Sequence, residues 1–353
     1  MATATAVSNT SPSTSATASG GTGGDGGSAF GEFGAGPGDG GIGGAAKATA
    51  ATTVISGSAG ANAVATGGNG GNYGTPGAFD TLFGNGGSGG SATATATGNS
   101  GKGSATVSAS ATGGSATGGE GFGGYGADAN ASSTAMANGS GDALSSATAT
   151  GGSGAFGIDQ SGTGGNATAT ANATASGGGK AIATAVATTS NGYPFSQVGA
   201  NAMSTAKTSF AGVTVQSTAA AYSTGSFLSS GPVTASTEAI AQVGSGQTVM
   251  PDVDVGAIAT ALPDKAYATM LIDGASNVAD ALLGGDEIFG ASIQEGGSST
   301  FDFAYRGDLL LGVVDGGADV TINGAEISIG DAGNDTVVNL GSFGPNIDLT
   351  ING

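Results

Sequence analysis

No cysteine, histidine or tryptophan occurs in this chain of 353 residues. The missing cysteine excludes disulfides, a thiolate nucleophile and thiolate metal sites. The missing histidine excludes Ser-His-Asp triads, imidazole acid–base work and most zinc chemistry. Tryptophan is the usual platform for stacking a sugar ring, and all aromatics together make only 5% of the chain. Charge is scarce and one-sided. Six basic residues stand against 25 acidic ones, a net charge of −19, so phosphate backbones are repelled and no nucleic-acid partner is expected. No run reaches the ~18 apolar residues of a membrane span, so no transmembrane segment is expected. Nor does a basic, then apolar, leader open the chain: Met1-Ala-Thr-Ala-Thr-Ala-Val-Ser8 is already repeat-like. Either a leader was removed, export uses another signal, or the chain is part of a longer polypeptide.

What the chain has instead is glycine, 74 residues of it, set among alanine, threonine and serine. Burying a methyl-sized group contributes about 0.8 kcal/mol, whereas ordering one backbone residue costs about 1–2 kcal/mol. An Ala/Gly segment therefore cannot form a globule by side-chain burial. It either stays disordered or satisfies its backbone in a ladder between near-identical neighbours. An alternation of alanine and threonine favours the ladder. It runs through Ala92–Thr97 and Ala167–Ala175 and, loosened, through Ala181–Thr188. A period of two is the strand signature, and β-branched threonine opposes the helix that alanine alone would favour. Ile182, Val186 and Val64 sit in the threonine phase, with Val107 as a counter-example in the alanine phase. This predicts that the threonine face is the roomier packed face.

Four segments follow. Residues 1–60, poorest in large side chains, are expected to be a flexible Gly-rich segment, with Phe30, Phe33 and Ile42 as isolated anchors. Residues 61–192 form the Ala/Thr β-repeat region, at a spacing of roughly 20–30 residues per strand-and-loop unit. Residues 193–249 are transition strands, richer in Tyr, Phe and Val. Residues 250–353 carry conventional alternation, as in Phe301-Asp-Phe-Ala-Tyr305, broken by turn signals such as Asn323-Gly324. Within them Pro263–Ile272 and Ser276–Leu283 read as short helices, the second stopped by Gly284-Gly285. The expected fold class is all-β: an irregular β-solenoid or strand-repeat region, then a C-terminal antiparallel β-sandwich with one or two short helices.

The motifs offer little chemistry. Gly330-Asp-Ala-Gly-Asn-Asp-Thr-Val-Val338 fits a calcium-binding nonapeptide, with Asp331 where the second glycine belongs. Asp331 and Asp335 are the candidate calcium ligands, against a plain β-turn with an Asn-Asp tip. The motif resembles the repeats of the RTX family, whose successive loops jointly supply calcium oxygens; here one copy stands alone, with a partial echo at Leu283–Gly290. Other C-terminal carboxylates, Asp252 through Asp319, flank turns or alternate outward and read as solvated surface rather than a glycosidase pair. No Gly-Lys-Ser/Thr phosphate loop follows a credible strand. Arg306-Gly-Asp308 spells an integrin tripeptide and reads as a hairpin turn. Asn166-Ala-Thr168 and Asn172-Ala-Thr174 match a glycosylation sequon of the kind this composition produces by chance.

Taken in order, Ala261-Leu-Pro-Asp264, Ser276–Ala281, Gly284-Gly-Asp286, Phe301-Asp-Phe303, Gly307–Gly312 and Asn339-Leu-Gly341 resemble the tail of bacterial Gly/Ala/Thr-rich β-strand-repeat proteins, secreted or surface-borne. That resemblance implies an extracellular or cell-surface location and no catalytic residues. The expectation is an extracellular structural β-repeat protein, a stalk or matrix element with a C-terminal capping or association domain, and not an enzyme. Its partners would be further copies of itself, matrix or surface glycans. The alternatives are an ice-binding protein using threonine arrays, and an adhesin that holds glycan or host through the C-terminal domain.

Overall fold

Alanine alternating with a larger residue forms strands that fall, one after another, into two sheets. The computed structural model describes residues 1–29, 36–77, 83–190 and 199–208 with their side chains, and beyond them chiefly the backbone of twelve strands from Val215–Ser223 to Asn346–Asn352. The first eleven strands are β1 (Ala2–Ser8), β2 (Ser13–Ser19), β3 (Ala46–Val54), β4 (Ala59–Thr66), β5 (Ala92–Ser100), β6 (Ala105–Thr112), β7 (Ala129–Ala137), β8 (Ala143–Thr150), β9 (Ala167–Ala175), β10 (Ala181–Thr189) and β11 (Ala200–Thr208). Odd strands make one sheet in the order β1-β3-β5-β7-β9-β11, and even strands the other, β2-β4-β6-β8-β10. Each described pairing among these eleven is parallel and in register, alanine beside alanine. The result is a parallel β-solenoid with two strands per coil.

The sheets meet through alanine. Ala48, Ala63, Ala94, Ala105, Ala147, Ala169 and Ala185 are all fully buried, and Val54 is the bulkiest fully buried side chain among the described residues. A thin core of this kind admits a larger residue only where its opposite number shrinks. Val107 points inward and is 2% exposed; a Cβ added to Gly98 on the facing sheet would lie 2.6 Å from its Cγ2. Two pairs of core hydroxyls are matched across the sheets. Thr14 and Thr52 share a hydrogen bond of 2.7 Å between the sheets, as do Ser133 and Ser145 at 2.7 Å, so neither member is left without a partner in the low-dielectric interior.

On one side each coil closes with a turn of four or five residues, such as 55–58 between β3 and β4 and 176–180 between β9 and β10. Gly178, with φ at 101°, takes the left-handed backbone that the last of these requires. On the other side the chain leaves β2, β4, β6 and β8 along glycine-rich arms and returns along others into β3, β5, β7 and β9. The arms are layered like the sheets they extend, and their hydrogen bonds recur every third residue. Gly20, Gly23 and Gly26 donate to Thr66, Asn69 and Asn72 of the next outgoing arm, each at 2.8 Å. Across the layers Gly44 donates to Gly21, Gly68 to Gly44, Gly90 to Gly68 and Gly114 to Gly90, at 2.7–2.9 Å. A three-residue period is that of polyproline-II geometry. Glycine is required by closeness here. A Cβ on Gly20 would sit 1.8 Å from the Gly44 carbonyl oxygen, and one on Gly68 1.9 Å from that of Gly21.

Four expectations change. The coil, not the single strand-and-loop, is the repeat: Ala46 pairs with Ala92, Ala92 with Ala129, Ala129 with Ala167 and Ala167 with Ala200, giving separations of 46, 37, 38 and 33 residues. The expected fold class, an irregular repeat with an antiparallel β-sandwich and one or two short helices, is corrected: the described strands β1–β11 form a parallel two-sheet stack, and no helix occurs among the described residues. The segments read as helices are the strands Asp264–Asp273 and Val278–Gly284, because Ala266 and Ala268 keep the same two-residue phase and Ala266 pairs with Ala235. The side-chain packing of 250–353, and with it the sandwich, lies outside the described residues. Residues 1–60, expected to be flexible, contribute β1, β2, β3 and the first pair of arms.

Core hydroxyl pairing gives a testable asymmetry. Ser133→Ala leaves Ser145 buried without its partner and should lower stability by about 1–3 kcal/mol, while Ser133→Ala with Ser145→Ala should recover most of that loss. Urea unfolding of the two variants beside the parent measures it.

Candidate functional site

With alanine turned inward, threonine and its substitutes face solvent. This reverses the expectation that the threonine face is packed: the space between the sheets suits a methyl group, so Ile182, Val186 and Val64 stand outward on the sheet and Val107 is the inward residue. Parallel, in-register pairing then lines the outward residues into columns. On the even sheet one column reads Ser19, Thr66, Thr112, Thr150, Thr188. On the odd sheet Thr3, Thr49, Thr95, Ser132 and Thr170 make another, and Thr97, Thr134, Asn172 and Thr205 part of a third. Neighbours in a column are one strand spacing apart, about 4.8 Å. The outward positions of β1–β11 include only two charges, Lys47 and Lys207. Asn172 of the second sequon is one of the outward column residues.

The acids sit elsewhere, in the arms and turns, and four of them, Asp25, Asp39, Asp128 and Asp142, accept amides. The Asp39 carboxylate accepts the Asn85 N–H at 2.8 Å, and the Asn85 side chain in turn accepts that of Phe122 at 2.8 Å. Asp128 accepts both the backbone N–H and the side-chain amide of Asn166, at 2.8 and 3.1 Å, and Asn166 accepts Gly199 N–H at 2.8 Å. Asp25 does the same for Asn72, and Asp142 takes the Lys180 N–H at 2.9 Å. Each of these carboxylates caps an amide in the following coil. The first sequon's Asn166 is therefore one link of this spine. The signal was present in the sequence as Gly-Gly-x triplets at Asp25, Asn72 and Asn166, whereas Asp39, Asn85, Asp128 and Asp142 stand outside that pattern.

A shallow groove lined by Asp128, Asn130, Asn166, Thr168 and Asn201 marks where the return arms enter the odd sheet; its Asp128 and Asn166 are already committed as above. Phe83, Phe122, Tyr125 and Phe156 stand about half exposed along the arms, and Ile42 is 75% exposed rather than an anchor. Phe30, Phe33, the calcium candidates Asp331 and Asp335, the tripeptide Arg306–Asp308 and the remaining C-terminal acids, as side chains, lie outside the described residues. Among the described residues no group of three acidic, His or Cys side chains gathers to hold a metal ion, and no helix is long and apolar enough to cross a membrane.

No protein-family model matches the chain, and neither a curated protein nor a solved structure is similar to it.

The inward and outward phases should respond oppositely to the same side chain. Ala169→Val overfills the core and should cost about 1–3 kcal/mol, whereas Thr170→Val, one residue away on the open face, should stay within about 0.5 kcal/mol. Thermal or urea unfolding of both variants reads the difference.

Proposed function

We propose that this protein is an extracellular structural element, a stalk or matrix component whose length is set by the number of coils. The observation that carries the reading is the unbroken backbone ladder: both sheets and both layers of arms pass hydrogen bonds from coil to coil through the described solenoid. Such a stack gains stability coil by coil and presents a rod rather than a pocket. Asp25, Asp39, Asp128 and Asp142 are used as amide caps, and the broad faces of β1–β11 are almost free of charge. A chain without cysteine, acidic overall and stiffened by repetition, suits an exposed scaffold. Self-association and contact with surface glycans are the partnerships this role calls for.

Whole coils should be removable. Deleting residues 92–166 joins Ser91 to Ala167 and keeps register, since Ala92, Ala129 and Ala167 are equivalent positions. The shortened chain should fold, resist protease as the parent does, and lose two strand spacings of length, about 10 Å, in small-angle scattering. A shortened chain that unfolds would sink the modular-stalk reading.

One observation favours a second reading, binding to ice. The hydroxyl columns run straight on a rigid, nearly uncharged face, and threonine offers a methyl and a hydroxyl at each regular step. Apolar intrusions at Leu144, Ile182 and Met203 interrupt the lattice. Freezing-point hysteresis in the parent, abolished by Thr112→Lys with Thr150→Lys, would move the function to this reading; none at high protein concentration dismisses it.

A further inference from the structure

Phe122 and Tyr125 are each 48% exposed, on a solenoid built otherwise of glycine, alanine and small polar residues. Both belong to the return arm that enters β7, in the run Phe122-Gly-Gly-Tyr-Gly-Ala-Asp128. At a period of three, positions 122, 125 and 128 share one direction. The neighbouring arms carry small polar side chains at the same places. On the preceding coil Asn85 stands beside Phe122 and Ser88 beside Tyr125, since the Gly86 and Gly89 amides donate to the Phe122 and Tyr125 carbonyls at 3.0 and 2.9 Å. The Asn85 side chain also accepts the Phe122 N–H at 2.8 Å, and the Ser88 hydroxyl that of Tyr125 at 3.1 Å. On the following coil Phe122 pairs with Gln160, and the Gly126 amide donates to Thr163 at 2.8 Å, beside Tyr125. Two aromatic side chains are thus set in a row, with amides and hydroxyls on either side and only glycine between them.

The row continues without a break onto the odd sheet. After Asp128 comes Asn130, the first outward residue of β7, paired with Thr168 of β9. Here the shallow groove begins. Asp128 holds Asn166 through Oδ1 alone, at 2.8 and 3.1 Å, and the side chains of Asn130 and Thr168 make no hydrogen bond among the described residues. From Phe122 to Tyr125 is about 9 Å, and from Phe122 to Asn130 about 25 Å, by the rise of arm and strand.

The chemistry of this row selects among occupants. Asp128 is the only charge in the return-arm stretches 83–91, 122–128 and 160–166, and Glu120 and Asp159 at the tips are acidic too, so an anionic polymer is repelled. A peptide strand finds no edge to join, because β7 is paired on both sides, to β5 and β9. A neutral sugar chain meets every demand. Its rings offer C–H faces to the aromatic side chains, and its hydroxyls both donate and accept, as amide and hydroxyl side chains do. The 9 Å step is close to the spacing of alternate rings in an extended β-linked chain.

We propose that this row is a binding track for a neutral β-linked glycan, with sugar rings stacked on Phe122 and Tyr125 and hydroxyls held by Asn130, Thr168 and the Oδ2 of Asp128. It rests on the stalk reading and names the place and chemistry of that stalk's glycan contact.

The test measures retention of the full chain on insoluble cellulose and chitin, and its retardation in native gels containing a soluble neutral β-glucan. The parent should be held by at least one of these. Phe122→Ala with Tyr125→Ala, which removes only exposed side chains, should keep the parent's circular dichroism and bind at least about tenfold more weakly. Asn130→Ala should weaken binding by about threefold or more. Phe156→Ala, which removes an equally exposed aromatic from an outgoing arm, should bind like the parent. A parent held by none of the three glycans, a double variant that binds like the parent, or a Phe156→Ala loss as large as that of the double variant overturns the proposal. Should the double variant fail to fold, Tyr125→Leu, which keeps an apolar side chain without the ring, decides by the same retention: weaker binding supports the track and equal binding overturns it. The chain lacking residues 92–166 should fold and lose retention. If it folds and is retained like the parent, the track is overturned and the stalk stands; if it unfolds, the stalk reading falls and the point variants alone decide the track.

Discussion

Little more than a hydrogen atom fits where the arms of this protein touch, and little more than a methyl group fits between its sheets. That steric limit governs the rest. With side chains so small, burial returns too little to offset the ordering of the chain, and main-chain hydrogen bonds must hold the coils together. Each such bond nets only about 1 kcal/mol. Their number is what matters, because each coil makes them to both neighbours, and the short side chains permit the backbones to come close enough to form them. Stability of this kind is distributed along the stack, with no single core residue on which it hinges.

Alanine and glycine divide the work by period. In a strand, side chains alternate across the sheet, so one small residue in two suffices to close the sheets face to face. In an arm of three residues per turn, two directions out of three meet another backbone, and two residues in three are glycine: Gly20-Gly-Thr-Gly-Gly-Asp is the plainest example. The third direction is free, and it holds the Asp, Asn, Thr and aromatic side chains. Where strand meets arm the register is fixed, since both ends of every strand are paired. Variation in coil length, from 46 residues to 33, falls mainly in the arms, which shorten without disturbing the sheets.

Much of this was legible, but unevenly. The period of two in Ala167–Ala175 identifies the strands directly. Which face is packed does not follow from it, because a small inward residue and a small outward one look alike until the distance between the sheets is known. Ile182 and Val186 misled because an outward apolar residue on a hydroxyl face resembles an inward one. Val107 was the informative residue, and its counterpart Gly98, nine residues before it and part of no motif, becomes visible only once the two sheets face each other. The arms were misread as flexible because glycine signals freedom when its neighbours are unknown; the Gly-Gly-x triplet carried the opposite message, a threefold period. Proline and acid ahead of an apolar run suggested a helix at 263–272, although the alternation of Ala266 and Ala268 already matched the strands before it. Nothing in the local sequence of Asp39, Asp128 and Asp142 shows that each faces an amide 38 to 46 residues away.

The same geometry explains why the described half offers faces and ends in place of a pocket. A pocket needs side chains long enough to wall it, and the positions that face inward here hold alanine or glycine. Polar atoms that elsewhere would converge on a ligand are spent on the neighbouring coil, as with Asp128 on Asn166. What remains chemically available among the described residues faces outward, chiefly as the lattice of hydroxyls. That lattice is weakly selective, because each position offers the same small group, and the main chain is spent on holding one coil to the next.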